Sequence, residues 1–303
     1  MASVINPRIP EFRSWPAARV DRGDVMTLVR FLEAHPRTLV LSGAGCSTDS
    51  GIPAYRDAHG RWTRRQPIQY QAFMSSESTR RRYWARSYLG WPRMQAARPN
   101  PAHRALAELQ SAGLLGGLVT QNVDGLHQRA GSSDVVELHG TLSRVLCQHC
   151  GLKLGRDALQ SELNACNPGW QARVEGINPD GDAELDEAAH RGFNFIDCPE
   201  CSGILKPDVV FFGENVPAQR VERVRALLGD CDALLIVGSS LAVWSGFRFA
   251  REAALAGLPV VAVNQGRTRA DDLLRFKVEA SCHQVLATVG ERLAAPKVFG
   301  KDR

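Results

Sequence analysis

The chain has 303 residues, 44% of them hydrophobic, and a formal net charge of +5. That length can bury a substantial core, as one large domain or a large domain carrying a smaller one, and no window approaches the roughly 18 uninterrupted apolar residues of a membrane helix. The amino terminus, MASVINPRIPEFRSW, has neither the apolar core of a secretory signal nor the character of an organelle presequence, so the expected compartment is the cytoplasm and no membrane is expected.

In chain order, Asp24 is placed to cap a helix over VMTLVRFLEAH, whose Val25, Leu28, Val29 and Leu32 recur at helical spacing before Pro36 ends it. TLVLSG reads as a short buried strand running into a glycine loop, GAGCSTDSGIP, where Gly43 and Gly45 allow close backbone approach to a pyrophosphate. The third glycine, Gly51, comes late for the usual dinucleotide spacing, and a plain turn remains the alternative. Residues from about 55 to 98 are rich in arginine and aromatics and read as helical. Arginine crowds the stretch from Arg56 to Arg104, which faces either something negative or simply solvent.

Asn100 and Pro101 open a further helix, AHRALAELQ, with Gly113 as its stop. An apolar run, LLGGLV, then turns abruptly polar as TQNVDGLH. That polar run is either an ordinary turn or an amide, a carboxylate and an imidazole displayed at the carboxyl end of a parallel strand. His139 closes the next apolar run, VVELHG, immediately before the cysteine-rich region.

Of eight cysteines, four are paired as CQHC (Cys147, Cys150) and CPEC (Cys198, Cys201). Two such pairs complete a tetrahedron around one zinc ion with no open position, which makes the metal structural; a redox CxxC is the competing reading. More than forty residues separate the pairs, including the Gly/Pro/Asp-rich NPDGDAELDEA. Cys46, Cys166, Cys231 and Cys282 lack such partners and read as buried small side chains. Alternation resumes with a helix over AQRVERVRALL, the strand ALLIVG, a helix over FRFAREAALAG and the strand PVVAVN. Two more strand-end loops come with it, VGSS (Gly238, Ser239, Ser240) and VNQG (Asn264, Gly266).

The fold class expected is therefore α/β. A Rossmann-like parallel sheet with helices on both faces is built from residues 20–54, 99–140 and 206–303. A smaller domain combines a helical insertion, 55–98, with a zinc-binding module, 141–205.

GAGCSTDSGIPAYRD, TQNVDGLH, ELHG, the two CxxC pairs, KPDVVFFGE and VGSSLAV, in this order, make the sequence resemble the sirtuin family of NAD-dependent protein-lysine deacylases from about Asp24 onward. RYWARSYLGWP and TQNVDGLHQRAG are most similar to its class II branch, which includes the mitochondrial lipoamidase and ADP-ribosyltransferase type. The resemblance implies one catalytic unit over residues 1–303 that consumes NAD+, carries one structural Zn2+ and acts on acyl-lysine proteins. It implies that Asn122 orients the ribose and a water, that Asp124 with Ile52 receives the nicotinamide carboxamide, and that His139 is the general base. The acyl oxygen would attack ribose C1′ as nicotinamide leaves, and the product would be O-acyl-ADP-ribose.

The same resemblance implies NAD contacts from Gly43, Ala44, Gly45, Ser47, Tyr55, Arg56, Gln121, Gly238, Ser239, Ser240, Asn264, Gln265, Gly266 and Cys282. It implies that Val210, Phe211, Gly213 and Glu214 pair with the substrate backbone as an added strand. Tyr83 and Arg86 stand at the YxxR spacing that serves acidic acyl groups in one branch, so dicarboxylic or bulky acyl-lysines are expected to outcompete acetyl-lysine. A basic helix with Trp84 in the core is the alternative. Trp244 and Ser245 depart from the pattern, since many members have a proline there. Protein mono-ADP-ribosylation and a non-catalytic NAD-sensing or nucleic-acid-binding module are the rival functions, and nucleic acid is not an expected partner.

Overall fold

The computed structural model describes Trp15 and residues 19–55, 67–186 and 188–294. Helix α1 (Val25–Ala34) begins where the Asp24 carboxylate accepts from the Thr27 N–H at 2.7 Å, satisfying a donor that a helix start leaves open. The fully buried strand β1 (Thr38–Ser42) follows. Beyond two short 3₁₀ turns come α2 (Tyr70–Ser75) and α3 (Glu77–Ala96). Helix α4 (Pro101–Ser111) opens on a capping box at Asn100 and releases the chain through Gly113, at φ +71°, into β2 (Leu115–Thr120). Next are the single turn α5 (Leu126–Arg129) and β3 (Val136–Glu137).

The chain then leaves this layer for β4 (Gly140–Cys147), β5 (Lys153–Gly155), α6 (Arg156–Cys166), the small hairpin β6 (Gly176–Ile177) and β7 (Ala183–Glu184), and β8 (Leu205–Val209). It returns through α7 (Ala218–Gly229), β9 (Ala233–Val237), α8 (Trp244–Leu255), β10 (Val260–Val263), β11 (Leu274–Val278) and α9 (Cys282–Leu293).

Six strands pair in parallel in the order β11-β10-β9-β1-β2-β3. Successive side chains face opposite ways. Val40, Leu235 and Val261 pack under α1, α4 and α9, while Leu39, Leu41, Leu234 and Ile236 pack under α7 and α8. The expected parallel sheet with helices on both faces is borne out. From β1 the chain builds outward to β2 and β3, then starts again on the other side of β1 with β9. The strand order thus reverses beside β1, and the carboxyl ends of these strands border the crevice where such sheets bind ligands.

The smaller domain has its own antiparallel sheet, β5-β4-β8, and its own core. Phe73, Tyr83 and Trp84 of α2 and α3 pack there with Val145, Leu159, Leu163, Phe193 and Leu205, so the helical insertion and the cysteine region share one interior. One expected boundary falls inside an element. β8 pairs with β4 and not with the parallel sheet, so a boundary at 206 would cut through it. Among the described residues of 55–98 the helices lie within Tyr70–Ala96, and residues 56–66, with the expected Arg56 contact, lie outside the described residues. Several arginines of the basic segment donate within the domain: Arg81 to the Phe193 carbonyl at 2.7 Å and Arg80 to the Phe73 carbonyl at 3.1 Å. Among the described residues no helix is long and apolar enough to cross a membrane.

Candidate active site

A cavity of about 570 Å³ opens along the carboxyl ends of β1, β2, β9 and β10. The loop after β1 forms one wall. Gly43 N–H donates to the Val237 carbonyl at 2.9 Å and Gly45 N–H to the Gly238 carbonyl at 2.8 Å, so the loops after β1 and β9 lie against each other. A Cβ on Gly43 would lie 2.7 Å from Ser239 Cβ, and one on Gly45 would lie 2.9 Å from the Gly238 oxygen. Only glycine permits that approach. Asn100 fastens the loop from below, its Nδ2 donating to the Cys46 carbonyl at 2.8 Å. Ala44, Ser47, Ile52, Tyr55, Ser240, Asn264, Gln265 and Cys282 also line the cavity. Gly266 does not; its carbonyl accepts from Lys277 Nζ at 3.1 Å. Burial pushes the Cys282 thiol up to about 12, so it is no nucleophile there.

The polar turn after β2 is held by reciprocal bonds. Asn122 Nδ2 donates to the Gly43 carbonyl and to Ser47 Oγ, both at 3.0 Å, and Ser47 Oγ donates to Asp124 Oδ2 at 2.7 Å. The Leu126 N–H donates to Asp124 Oδ1 at 2.9 Å. Burial raises the Asp124 carboxyl, against the pull of those two donors. Gln121 ties β1 to β9 by donating to the Ser42 carbonyl and to Ser239 Oγ at 3.1 and 2.9 Å.

His139 stands opposite, at the entry to β4. Its Nδ1 lies 2.9 Å from the Gln121 carbonyl, which can only accept. The proton therefore resides on Nδ1, and Nε2 presents its lone pair toward the cavity, where Ser245 Oγ lies at 2.8 Å. Burial lowers the imidazole to about 4, helped by Arg220 and Arg248 and opposed by the Gln121 carbonyl. At neutral pH the ring is uncharged and able to accept a proton.

Val210, Phe211, Gly213 and Glu214 line the cavity's other wall. The Val210 N–H donates to the His139 backbone carbonyl at 2.8 Å, tying this turn to the strand start that carries the imidazole. Glu214 Oε2 accepts from the Phe211 N–H at 2.8 Å and from the buried Lys206 Nζ at 3.1 Å. The structure does not bring Tyr83 or Arg86 to the cavity wall. Tyr83 is buried one layer behind, its ring 5.3 Å from that of Phe211. Arg86 Nε donates to the Ala183 carbonyl at 2.9 Å, and its charge acts on Asp180 and Asp182. The carboxylate-receiving role expected of this pair therefore has no geometry here, because the guanidinium is taken up inside the small domain. Ser245 and Arg248 also line the cavity without having been expected there, and only Ser245 left a sequence signal, as half of the Trp-Ser that replaces the usual proline.

Cys147, Cys150, Cys198 and Cys201 converge with their sulfurs within 4.8 Å of one another, Cys147 to Cys201 at 3.5 Å and Cys150 to Cys198 at 3.7 Å. Zinc–thiolate tetrahedra put sulfurs about 3.8 Å apart, so the set fits a structural zinc. Gly203 belongs to the same design, since a Cβ there would lie 3.0 Å from the Cys147 sulfur. A second cluster, Cys46, His103 and His127, lies buried beneath the first loop. His103 Nδ1 accepts from the Asn100 N–H at 3.3 Å, which leaves its Nε2 protonated toward Ser47 and without a lone pair for a metal. This cluster supports the loop.

Known proteins resemble this chain in sequence and fold. The family model described as "Sir2 family" matches residues 43–245. A "NAD-dependent protein deacetylase" of Xanthomonas campestris pv. campestris is 59% identical over 260 residues, 86% of this chain and 89% of that protein. "NAD-dependent protein deacetylase 2" of Bradyrhizobium diazoefficiens is 56% identical over 261 residues, 86% and 96% of the respective chains. Among solved structures, "Sir2-p53 peptide-NAD+" superposes with a TM-score of 0.71 at 28% identity, covering 89% of this chain and 98% of that one. "Sir2 bound to acetylated peptide" does so at 0.70 and 27%, with the same coverage.

Proposed function

The chain belongs to the Sir2 family, and we propose that it removes acyl groups from protein lysines at the expense of NAD, releasing nicotinamide and O-acyl-ADP-ribose. The reading is carried by the convergence of Asn122, Asp124 and His139 on one cavity whose floor is made of the strand-end loops after β1, β9 and β10. NAD supplies an electrophilic ribose carbon and a leaving group, so the protein needs no nucleophile of its own.

The glycine loops bring backbone N–H groups close to the pyrophosphate, as Gly43 and Gly45 have no Cβ to hold it off. Asn122, fixed by the Gly43 carbonyl and Ser47, orients the ribose. Asp124, held by Ser47 and the Leu126 N–H, receives the carboxamide beside Ile52. His139 accepts the ribose hydroxyl proton at Nε2, the nitrogen left unprotonated by the bond from Nδ1 to the Gln121 carbonyl. The peptide adds as a strand along Val210–Glu214, with main-chain bonds giving affinity. Acetyl and other uncharged acyl groups are the substrates, since the guanidinium once expected to receive a carboxylate is turned to the Ala183 carbonyl.

A panel of acetyl-, propionyl-, lipoyl-, succinyl- and glutaryl-lysine peptides tests this, with nicotinamide and deacylated peptide measured for the native protein and for His139→Ala. Acetyl turnover that is lost in the variant is expected. Absence of deacylation across the panel, with ADP-ribose attached to protein, would make transfer the function instead. A succinyl or glutaryl peptide leading the ranking would overturn the acyl assignment alone.

A further inference from the structure

The environment of His139 differs from that of a base standing free in its cavity. Its single available lone pair, on Nε2, is already met by Ser245 Oγ at 2.8 Å. Ser245 is the second residue of α8, two positions past the N-cap, so its hydroxyl is not drawn into capping the helix start. The cap position is held by Val243, with no side-chain bond to the helix start. The helix is also pressed toward the base. A Cβ on Gly246 would lie 2.8 Å from Gln121 Cδ, so glycine there lets α8 approach the residue whose carbonyl holds Nδ1. Gln121 and Ser245 thus grip the imidazole from both nitrogens. The charges acting on it are Arg220 of α7, itself donating to Asp208 at 2.8 Å, and Arg248 of α8.

We propose that Ser245 is a positioning residue for the base: its hydroxyl donates to Nε2 of the resting ring and accepts from Nε2–H once the ring has taken a proton. This rests on the reading of His139 as the base. A hydroxyl suits the task because one oxygen both donates and accepts, so the ring keeps its orientation on either side of proton transfer. The bond to the charged ring is the stronger one, which favours the imidazolium in a cavity that otherwise disfavours it. An incoming ribose hydroxyl takes the place of Ser245 Oγ at the Nε2 lone pair, and Ser245, which also lines that cavity, returns to accept from Nε2–H once the ribose oxygen has given up its proton and moved away.

The test compares native protein with Ser245→Ala, Ser245→Thr and His139→Ala. In the protein without NAD, nitrogen NMR of labelled histidine at pH 7 should place a proton on Nδ1 of His139, identified by its loss in His139→Ala, and a hydrogen-bonded Nε2. In Ser245→Ala the Nε2 resonance should move downfield to that of an unbonded ring nitrogen, and Ser245→Thr should restore it. In turnover, losing one such bond should lower kcat roughly five- to thirtyfold, with KM for NAD and peptide within about twofold and recovery in the threonine variant. Ser245→Cys keeps the shape and weakens the donor, and it decides the matter if the alanine protein does not fold. An unmoved Nε2 resonance, an unchanged kcat, or a loss confined to KM would overturn the inference while His139→Ala remains inactive. Deacylation persisting in His139→Ala would instead bring down the reading of the base and the inference with it.

Discussion

Replacing Lys206 by methionine should both destabilise the protein and loosen its hold on peptide. The ammonium lies on β8 with its side chain only 4% exposed. It donates to the Val209 carbonyl at 2.6 Å, the Pro207 carbonyl at 3.2 Å and Glu214 Oε2 at 3.1 Å, and it sits 4.8 Å from the Phe211 ring centroid. Burial pulls its pKa down and Glu214 pulls it back. At that separation and an effective dielectric constant of about 20 the attraction is about 5 kcal/mol, most of it offset by removing the charge from water. Methionine fills the space but leaves the Glu214 carboxylate with only the Phe211 N–H and strips the Val209 carbonyl of its donor. The expected loss is about 3 kcal/mol. Pairing it with Glu214→Gln should cost less than the sum of the two single changes, by about 1–3 kcal/mol. Urea unfolding at constant m-value measures the stability terms. In turnover, KM for peptide should rise severalfold while KM for NAD holds, because the glycine loops do not depend on this turn. A change below about 0.5 kcal/mol with peptide KM unaltered would refute the reasoning.

His139, lowered to about 4, is neutral well below the ordinary histidine value in the protein without substrates, so kcat/KM should stay level from pH 8 to 5.5; an acid limb centred near 6.5 would contradict the burial argument. The same burial has a stability consequence through His127, lowered to about 3. Its folded value lies below its unfolded one, so its contribution is full above about pH 6.5 and is lost as pH falls toward 3; urea midpoints should drop less between pH 6.5 and 4.5 in His127→Asn than in native protein. Purified protein should carry close to one zinc per chain by elemental analysis, and Cys150→Ser should lose it and expose residues 140–209 to proteolysis. Gly90→Ala should cost about 3 kcal/mol in urea unfolding, because the new Cβ would strike the Gly181 carbonyl of the β6–β7 hairpin across the small domain's core.

The parts of the fold legible in sequence were those with a local cause. Asp24 and Asn100 announce helix starts, Gly113 a stop, and the apolar runs before GAGCS and VGSS are strands buried on both faces. The cysteine pairs name their ligand set by spacing alone. What stayed hidden depends on contacts between distant segments. YxxR spacing cannot reveal that Phe73 and Phe211 close around Tyr83, or that Ala183, 97 residues away, takes the Arg86 guanidinium. Nor does KPDVV tell that its strand pairs antiparallel with β4, since an apolar run flanked by a glycine turn suits either sheet. Ser245 and His139 meet across 106 residues, and only the departure from proline hinted at a special position.

Deacylation of a peptide whose acetyl carbonyl carries oxygen-18, followed by mass analysis of the products, tests the central claim most directly. Attack of the acyl oxygen on the ribose carbon predicts that the label appears on the ribose of O-acetyl-ADP-ribose, with one nicotinamide released per lysine freed. Label remaining in the acetyl group, or nicotinamide release uncoupled from deacetylation, would contradict a cavity built to join acyl-lysine to NAD.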